Sequence, residues 1–247
     1  MTINQPILPD VVSLSSFPNG GRAAIVGARG GIGAAITRLV DETHRFAEVI
    51  ELSRYGDPPL DITSPSSIES AVDHLAGDVR PMRLVMVTTG ILHDHGLQPE
   101  KSWREIDVHK MARSFAINAI GPALLMKHFL PLMPLKGKSV FAVLSARVGS
   151  IGDNRLGGWY SYRASKAALN QLVRTAAIEL ARTRPEAVCV ALHPGTVATP
   201  LSAPFAKTQP QIQSAELAAS RLLAVIDGLD ASRTGGFFDH LGKPVEW

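Results

Sequence analysis

Arg22-Ala23-Ala24-Ile25-Val26-Gly27-Ala28-Arg29-Gly30-Gly31-Ile32-Gly33 is the stretch on which the reading of this chain turns. Arg22–Val26 is a short apolar run, the kind that suits a strand covered on both faces. From Ile32 to Thr43 the apolar residues recur at helical spacing. Between them lies G-x-x-x-G-x-G. One glycine permits the tight turn after the strand, another lets the backbone approach a pyrophosphate, and a third lets the helix pack close to the sheet. The helix N-terminus adds free N–H groups and a partial positive charge that suit phosphate. Glycine strings are common in loops; the place of this one, between a strand and a helix, points to a nucleotide.

Working outward, the same alternation continues. Glu48–Leu52, Arg83–Thr88, Ser139–Leu144, Ala187–Leu192 and Gly236–Asp239 read as strands. Ser64–Leu75, Trp103–Leu132, Tyr160–Thr183 and Ala215–Ile226 read as helical, the second with an internal Gly-Pro. Strands alternating with helices predict βαβ units and a parallel sheet. The expectation is an α/β fold: a single doubly wound Rossmann-type domain over residues 22–247, with a parallel sheet of about seven strands flanked by helices. Residues 1–21 precede the first strand and read as an irregular arm.

Composition agrees with a folded domain. The chain has 247 residues, 45% hydrophobic and 19% charged, against about 25% charged in ordinary domains. That excludes a disordered chain. One cysteine, Cys189, excludes an internal disulfide framework and a cysteine-based zinc site, and fits a reducing, cytoplasmic setting. The net charge of 25 − 22 = +3 comes without basic runs, so no nucleic-acid partner is expected. Phe115–Leu135, the most apolar stretch, is broken by Asn118, Lys127, His128 and three prolines, so no membrane span is expected. The N-terminus lacks the basic and apolar regions of a secretory signal.

Two further sites carry chemistry. The second strand ends Leu52-Ser53-Arg54. An acidic residue there would suit the ribose hydroxyl of NAD, whereas an arginine suits a 2′-phosphate. Arg54, with Arg29 in the glycine loop, therefore favours NADP(H). Farther on, Tyr162 and Lys166 lie four residues apart, on one helical face. A phenol titrates near 10, and a neighbouring ammonium lowers that value by favouring the phenolate. Such a pair is suited to acid–base work on an alcohol or carbonyl.

The glycine loop, Asn118, Tyr162-x-x-x-Lys166 and His193-Pro194-Gly195-Thr196-Val197-Ala198-Thr199 occur in that order. From about Arg22 to Trp247 the chain resembles the short-chain dehydrogenase/reductase family. Gly158-Trp159-Tyr160-Ser161-Tyr162 and the tail Gly235-Gly236-Phe237-Phe238-Asp239 resemble its small carbonyl-reductase branch, which includes the C-factor proteins. The resemblance implies that Tyr162 is the acid–base group, that Lys166 binds the nicotinamide ribose, and that Asn118 holds a water linking Lys166 to solvent. It implies cofactor contacts at Gly27, Arg29, Gly31, Ile32, Gly33, Ser53, Arg54, Asp61, Ile62, Gly90, Tyr162, Lys166, Pro194, Gly195, Thr196, Val197 and Thr199. It also implies a homodimer or homotetramer built on Trp103–Leu132 and the Tyr160 helix, where Ala167, Ala168, Ala176, Ala177 and Ala181 allow close packing. Residues 200–213 would form the lid that selects the substrate.

The chain departs from the family pattern twice. Thr88-Thr89-Gly90 replaces the usual Asn-Ala-Gly. In Leu144-Ser145-Ala146-Arg147-Val148-Gly149, Ala146 stands where the family has its catalytic serine. Ser145 and Ser150 are the two substitutes, with Ser145 preferred. Strand side chains alternate faces, so Ser145 would point away from the site unless the strand has already ended. His93-Asp94-His95 reads as a solvated loop rather than a metal site, His193 as a packing residue, and Arg147 and Arg155 as solvated loop residues. The expected activity is NADPH-dependent interconversion of a carbonyl and an alcohol. The alternative is an NADP-binding regulatory or signalling protein.

Overall fold

The computed structural model describes residues 12–202 and 212–247. Six strands form one parallel sheet: β1 (Arg22–Val26), β2 (Glu48–Leu52), β3 (Met82–Val87), β4 (Ser139–Leu144), β5 (Ala187–His193) and β6 (Phe237–Asp239). Their spatial order is β2-β1-β3-β4-β5-β6. The expectation of about seven strands is corrected to six among the described residues. Each of the six runs read from the sequence forms a strand, and no described segment between them supplies another.

The sheet is covered on both faces, which explains why its inner strands read as mainly apolar runs, whereas the edge strand β2 carries exposed Glu48 and Glu51. Ala24 and Val26 of β1 belong to one core cluster. Ala23 and Ile25 belong to the other. The first cluster is closed by α2 (Pro65–Ala76), α4 (Gly121–Phe129) and α5 (Tyr160–Thr183). The second is closed by α1 (Gly31–Glu42) and α6 (Ala215–Gly228). Serine caps start two of these helices. Ser64 accepts from Ser67 N at α2, and Ser214 from Leu217 N at α6, each satisfying an amide that would otherwise lack a partner.

The stretch expected as one helix over Trp103–Leu132 is segmented. A 3₁₀ turn spans Trp103–Glu105, α3 spans Val108–Phe115 behind an Asp107 cap, a π-helical turn spans Ala116–Ile120, and α4 follows. Gly121-Pro122 does not break the run. A Cβ at Gly121 would lie 2.3 Å from Ile62 Cγ1 and 2.6 Å from Ile62 O, so the glycine admits the loop after β2. By length and composition alone Val108–Leu132 could cross a membrane. In the fold it is a layer helix, with Leu125, Met126 and Phe129 in the core.

Residues 12–21 differ from a loose arm. Leu14 and Phe17 are buried in the α1–α6 core. Ser16 N donates to Asp227 Oδ1 at 2.9 Å, and Lys138 Nζ donates to Ser16 Oγ at 2.8 Å. Two apolar residues three apart in an otherwise polar stretch carry no periodicity, so only packing reveals them. Residues 1–11 of the arm, and most of the 200–213 lid, lie outside the described residues.

Candidate active site

The phosphate loop is held from two sides. Gly27, after β1, has φ +86°, a conformation that glycine adopts without strain. A Cβ at Gly33 would lie 2.2 Å from Gly27 O, so the first turn of α1 sits directly on the loop backbone. Thr88, at the end of β3, donates from Oγ1 to Val26 O at 2.8 Å and to Gly27 O at 3.2 Å. The threonine that replaces the family's asparagine is thus a tie between β3 and the glycine loop. Gly31 faces Thr199, whose Cγ2 would stand 3.1 Å from a Cβ there. The loops after β1 and β5 therefore face each other across a narrow gap, and Ile32 lies between Gly31 and Gly33. These features fit a pyrophosphate at the α1 N-terminus.

At the end of β2, Arg54 is exposed, with its guanidinium 5.9 Å from the Tyr55 ring centroid. Ser53 O accepts from Leu60 N at 2.8 Å, which turns the chain back beside the sheet. Asp61 Oδ1 accepts from Thr63 N and Oγ1. Those bonds, with help from the Arg54 charge, hold its carboxyl below the usual range. Arg29 is also exposed. Both arginines stay open to a phosphate.

The chemistry centres on α5. Lys166 is 3% exposed, and its Nζ donates to Leu144 O at 2.9 Å, while standing 5.9 Å from the Tyr162 ring centroid. Asn118, fully buried in the π-helical turn, accepts on Oδ1 from Ile91 N at 2.8 Å. Its Nδ2 donates to Ile91 O at 2.9 Å and to Ser165 Oγ at 3.1 Å. A Cβ at Gly90 would meet Asn118 Oδ1 at 3.5 Å and Lys166 Nζ at 3.6 Å. Gly90, Asn118, Tyr162 and Lys166, distant in sequence, thus converge. Trp159 meets the Tyr162 ring edge-on, with centroids 6.2 Å apart.

Burial governs the two titrating groups. It pulls Lys166 down to about 8 and pushes the Tyr162 phenol up to about 12. The expected lowering of the phenol by Lys166 does not show in the protein alone, where desolvation of the phenolate raises it.

Both substitute serines already have hydrogen-bond partners. Ser145 Oγ donates to Asn170 Oδ1 at 2.6 Å. Asn170 lies eight residues beyond Tyr162, about 12 Å along the helix axis. Ser145, one residue past the end of β4, thus has its hydroxyl engaged by Asn170, one helical turn beyond Lys166. Ser150 Oγ accepts from Asp153 N at 3.1 Å. Ala146 leaves the family's serine position without a hydroxyl.

After β5, Gly195 has φ +78°, and a Cβ there would lie 2.6 Å from Gln213 Nε2 and 3.0 Å from His240 Nδ1. Gln213 donates to Pro194 O at 2.5 Å and accepts from Arg221 at 3.0 Å. Its backbone accepts from Ala198 N and donates to Thr196 O, which fixes the Thr196–Thr199 segment around Val197. Gln213 and His240 escaped the sequence reading because neither belongs to a motif. His193 is held down at about 4, first by burial and then by Arg147 and His240, so it is a neutral packing group. Arg147 lies 3.5 Å from both Asp153 and Asp239 rather than free in solvent. His93 bonds to Pro200 O at 3.1 Å and Asp94 pairs with Arg113, and no metal cluster occurs among the described residues.

Known proteins resemble this chain along most of its length. Residues 21–224 match the family model described as enoyl-(acyl carrier protein) reductase. The chain is 31% identical over 239 residues to 1-hydroxy-2-glutathionyl-2-methyl-3-butene dehydrogenase of Rhodococcus sp. strain AD45, covering 90% of this chain and 98% of that one. It is 42% identical over 144 residues to the C-signal protein of Myxococcus xanthus, covering 58% of this chain and 82% of that one. Among solved structures, NADPH-bound carbonyl reductase from chicken fatty liver superposes with a TM-score of 0.82 at 23% identity, covering 96% of this chain and 99% of that one. A carbonyl reductase from Pseudomonas aeruginosa PAO1 superposes with a TM-score of 0.74 at 26% identity, covering 92% and 100%.

Proposed function

We propose, for a chain that belongs to the short-chain dehydrogenase/reductase family, that it interconverts a small-molecule carbonyl and the corresponding alcohol with NADP(H). The observation that carries this reading is the convergence of Lys166 Nζ on the Tyr162 ring beside Gly90 and Asn118, at the mouth of the glycine loop. NADPH, when bound, supplies a hydride. The residues that would hold it are Gly27, Arg29, Gly31, Ile32 and Gly33 at the pyrophosphate, Ser53 and Arg54 at the 2′-phosphate, and Asp61 and Ile62 at the adenine. Gly90, Lys166, Pro194, Gly195, Thr196, Val197 and Thr199 would border the nicotinamide ribonucleoside.

In the reductive direction Tyr162 gives its phenolic proton to the carbonyl oxygen as that oxygen gains negative charge. Its high intrinsic pKa keeps it protonated at neutral pH and ready to donate. Lys166, an ammonium below about 8, offsets the phenolate that results. Leu144 O and the Asn118 turn fix where that ammonium stands. In the oxidative direction the same groups run in reverse, with the phenolate taking the hydroxyl proton. The test is reduced-nicotinamide absorbance followed over a panel of ketones and aldehydes. Tyr162→Phe should abolish turnover while NADPH still binds, and equal rates for both proteins would refute the assignment.

A second reading is a regulatory or signalling protein that binds NADP with little turnover. Ala146, with Ser145 tied to Asn170, favours it, and the likeness to C-signal is consistent with it. Tight NADP binding with no turnover on any carbonyl would select this reading. We also propose that residues 22–247 act as one catalytic domain, that the protein works in the cytoplasm, and that it is a homodimer or homotetramer.

A further inference from the structure

We infer that Glu100 is a positioning residue for Tyr162, seating the first turn of α5 from a loop 61 residues away in sequence. The inference deepens the carbonyl–alcohol reading and rests on it for its catalytic consequence. Helix α5 starts under unusual constraint. Three successive residues before it are left-handed: Gly157 at φ 63°, Gly158 at 66° and Trp159 at 52°. For a side chain as large as tryptophan that conformation is strained. Trp159 occupies the cap position, yet an indole has only a donor and cannot cap the amides of the first turn.

Glu100 fills that role. Its Oε2 accepts from Ser161 N at 3.1 Å, its Oε1 accepts a short bond from Ser161 Oγ, and its backbone oxygen accepts from Trp159 N at 2.5 Å. Glu100 is 2% exposed. Among the described residues no arginine, lysine or histidine forms an ion pair with it. An unpaired buried carboxylate is costly unless it is hydrogen-bonded; here those bonds and the positive end of α5 compensate it. A serine or aspartate at position 159 would cap the helix with less desolvation. Capping from outside leaves position 159 to an aromatic ring, and that ring packs edge-on against Tyr162.

The other flank is anchored as well. Arg163 donates from Nε to Gly157 O at 3.2 Å and Gly158 O at 3.0 Å, and from Nη1 to Val148 O at 3.2 Å. Tyr162 therefore stands between two neighbours, Ser161 and Arg163, each tied to a different loop. Its phenol projects from the first turn, where a helix normally frays, so small shifts of that turn become large shifts at the hydroxyl.

The experiment uses the full chain, with Glu100→Ala and Glu100→Gln. Glutamine keeps an oxygen for Ser161 N and offers an amide to Ser161 Oγ. Glu100→Ala should lower kcat by about 10²-fold, the cost of a misplaced catalytic group, with KM and Kd for NADPH within twofold of wild type. Glu100→Gln should restore kcat to within about fivefold, the worth of a single net hydrogen bond. Amide hydrogen exchange provides a readout independent of turnover. Exchange at residues 159–163 should accelerate in Glu100→Ala, return to the wild-type rate in Glu100→Gln, and stay unchanged in the central strands. Wild-type kcat in Glu100→Ala, equal losses in both variants, or exchange accelerated evenly over the whole chain would overturn the inference. If Glu100→Ala does not fold, Glu100→Asp takes its place, with the same local exchange pattern expected. If the wild type reduces no carbonyl, the catalytic reading fails, and the exchange data alone still decide whether Glu100 seats residues 159–163.

Discussion

Ala146→Ser and Ser145→Ala together test how this site differs from its family. The backbone at Ala146 is extended, with φ −143° and ψ 142°, a conformation open to serine. Ala146 is half-buried, so an added hydroxyl needs no room that the core would refuse. If position 146 faces the reacting oxygen, the new Oγ gives it a second donor beside Tyr162. One well-placed donor in a dry site is worth about 10²–10³ in kcat, whereas a loosely placed one is worth about 1 kcal/mol, or roughly fivefold. The expected gain in kcat on a turned-over ketone therefore lies between about fivefold and 10²-fold, with KM for NADPH unchanged. Ser145→Ala should behave in the opposite way. It strips Asn170 Oδ1 of the donor 2.6 Å away and leaves a buried acceptor unsatisfied. That costs about 1–3 kcal/mol of stability, or roughly 2–12 °C of Tm for a domain of this size, with kcat within a few-fold of wild type. Paired thermal melts and steady-state rates decide the matter. A large loss of kcat in Ser145→Ala without a fall in Tm, together with no gain in Ala146→Ser, would refute the reasoning and return the catalytic hydroxyl to Ser145.

Arg54→Ala should weaken NADP by about 10- to 100-fold, the worth of a hydrogen bond to a charged group, and leave NAD affinity unchanged; fluorescence titration of both cofactors measures it, and equal effects on the two would sink the 2′-phosphate assignment. Lys166 binds fewer protons folded than unfolded between about 8 and 10.5, so its contribution makes stability rise with pH across that window. Tyr162, raised from 10 to about 12, acts oppositely above pH 10, and urea melts from pH 7 to 11 in wild type and Tyr162→Phe separate the two. Activity that needs the Lys166 ammonium should fall as pH climbs through about 8, read from kcat/KM profiles. Gly121→Ala should destabilise by at least about 1–3 kcal/mol, because its Cβ would stand 2.6 Å from the Ile62 backbone oxygen; an unchanged urea midpoint would contradict that contact.

The fold was legible because its signals are local. Each strand but the edge strand β2 is a short, mainly apolar run, and each helix shows its periodicity or its cap within a few residues, as at Ser64 and Ser214. Gly27, Gly90, Tyr162, Lys166 and Gly195 could be singled out for the same reason, each lying at a strand end or on a helix face that the period fixes, whereas Asn118 stands in a π-helical turn that the period does not show. What stayed hidden depends on partners far along the chain. Leu14 and Phe17 look like loop residues until α1 and α6 enclose them. Gln213 is one polar residue in a proline-rich segment until its amide meets Pro194 O. The rise of the Tyr162 phenol stayed hidden because spacing reveals the neighbouring ammonium but not the burial that desolvates the phenolate.

Those hidden partners share a geometry with a consequence. The groups to which we assign chemistry sit where the backbone leaves or begins a regular element: the loop after β1, the first turn of α5 and the segment after β5. Each such backbone is held by one polar side chain from elsewhere in the chain. Thr88 holds Gly27 O, Glu100 holds Ser161 N, and Gln213 holds Pro194 O. A strand end or a helix start has unpaired amides and carbonyls by construction, so it can be tied only by groups from other segments. Local sequence therefore determines which residues act, while contacts between segments determine where their atoms stand. It follows that substitutions at Thr88, Glu100 and Gln213, none of which contributes a reacting atom, should resemble active-site lesions in kcat while leaving the central strands as protected from exchange as before.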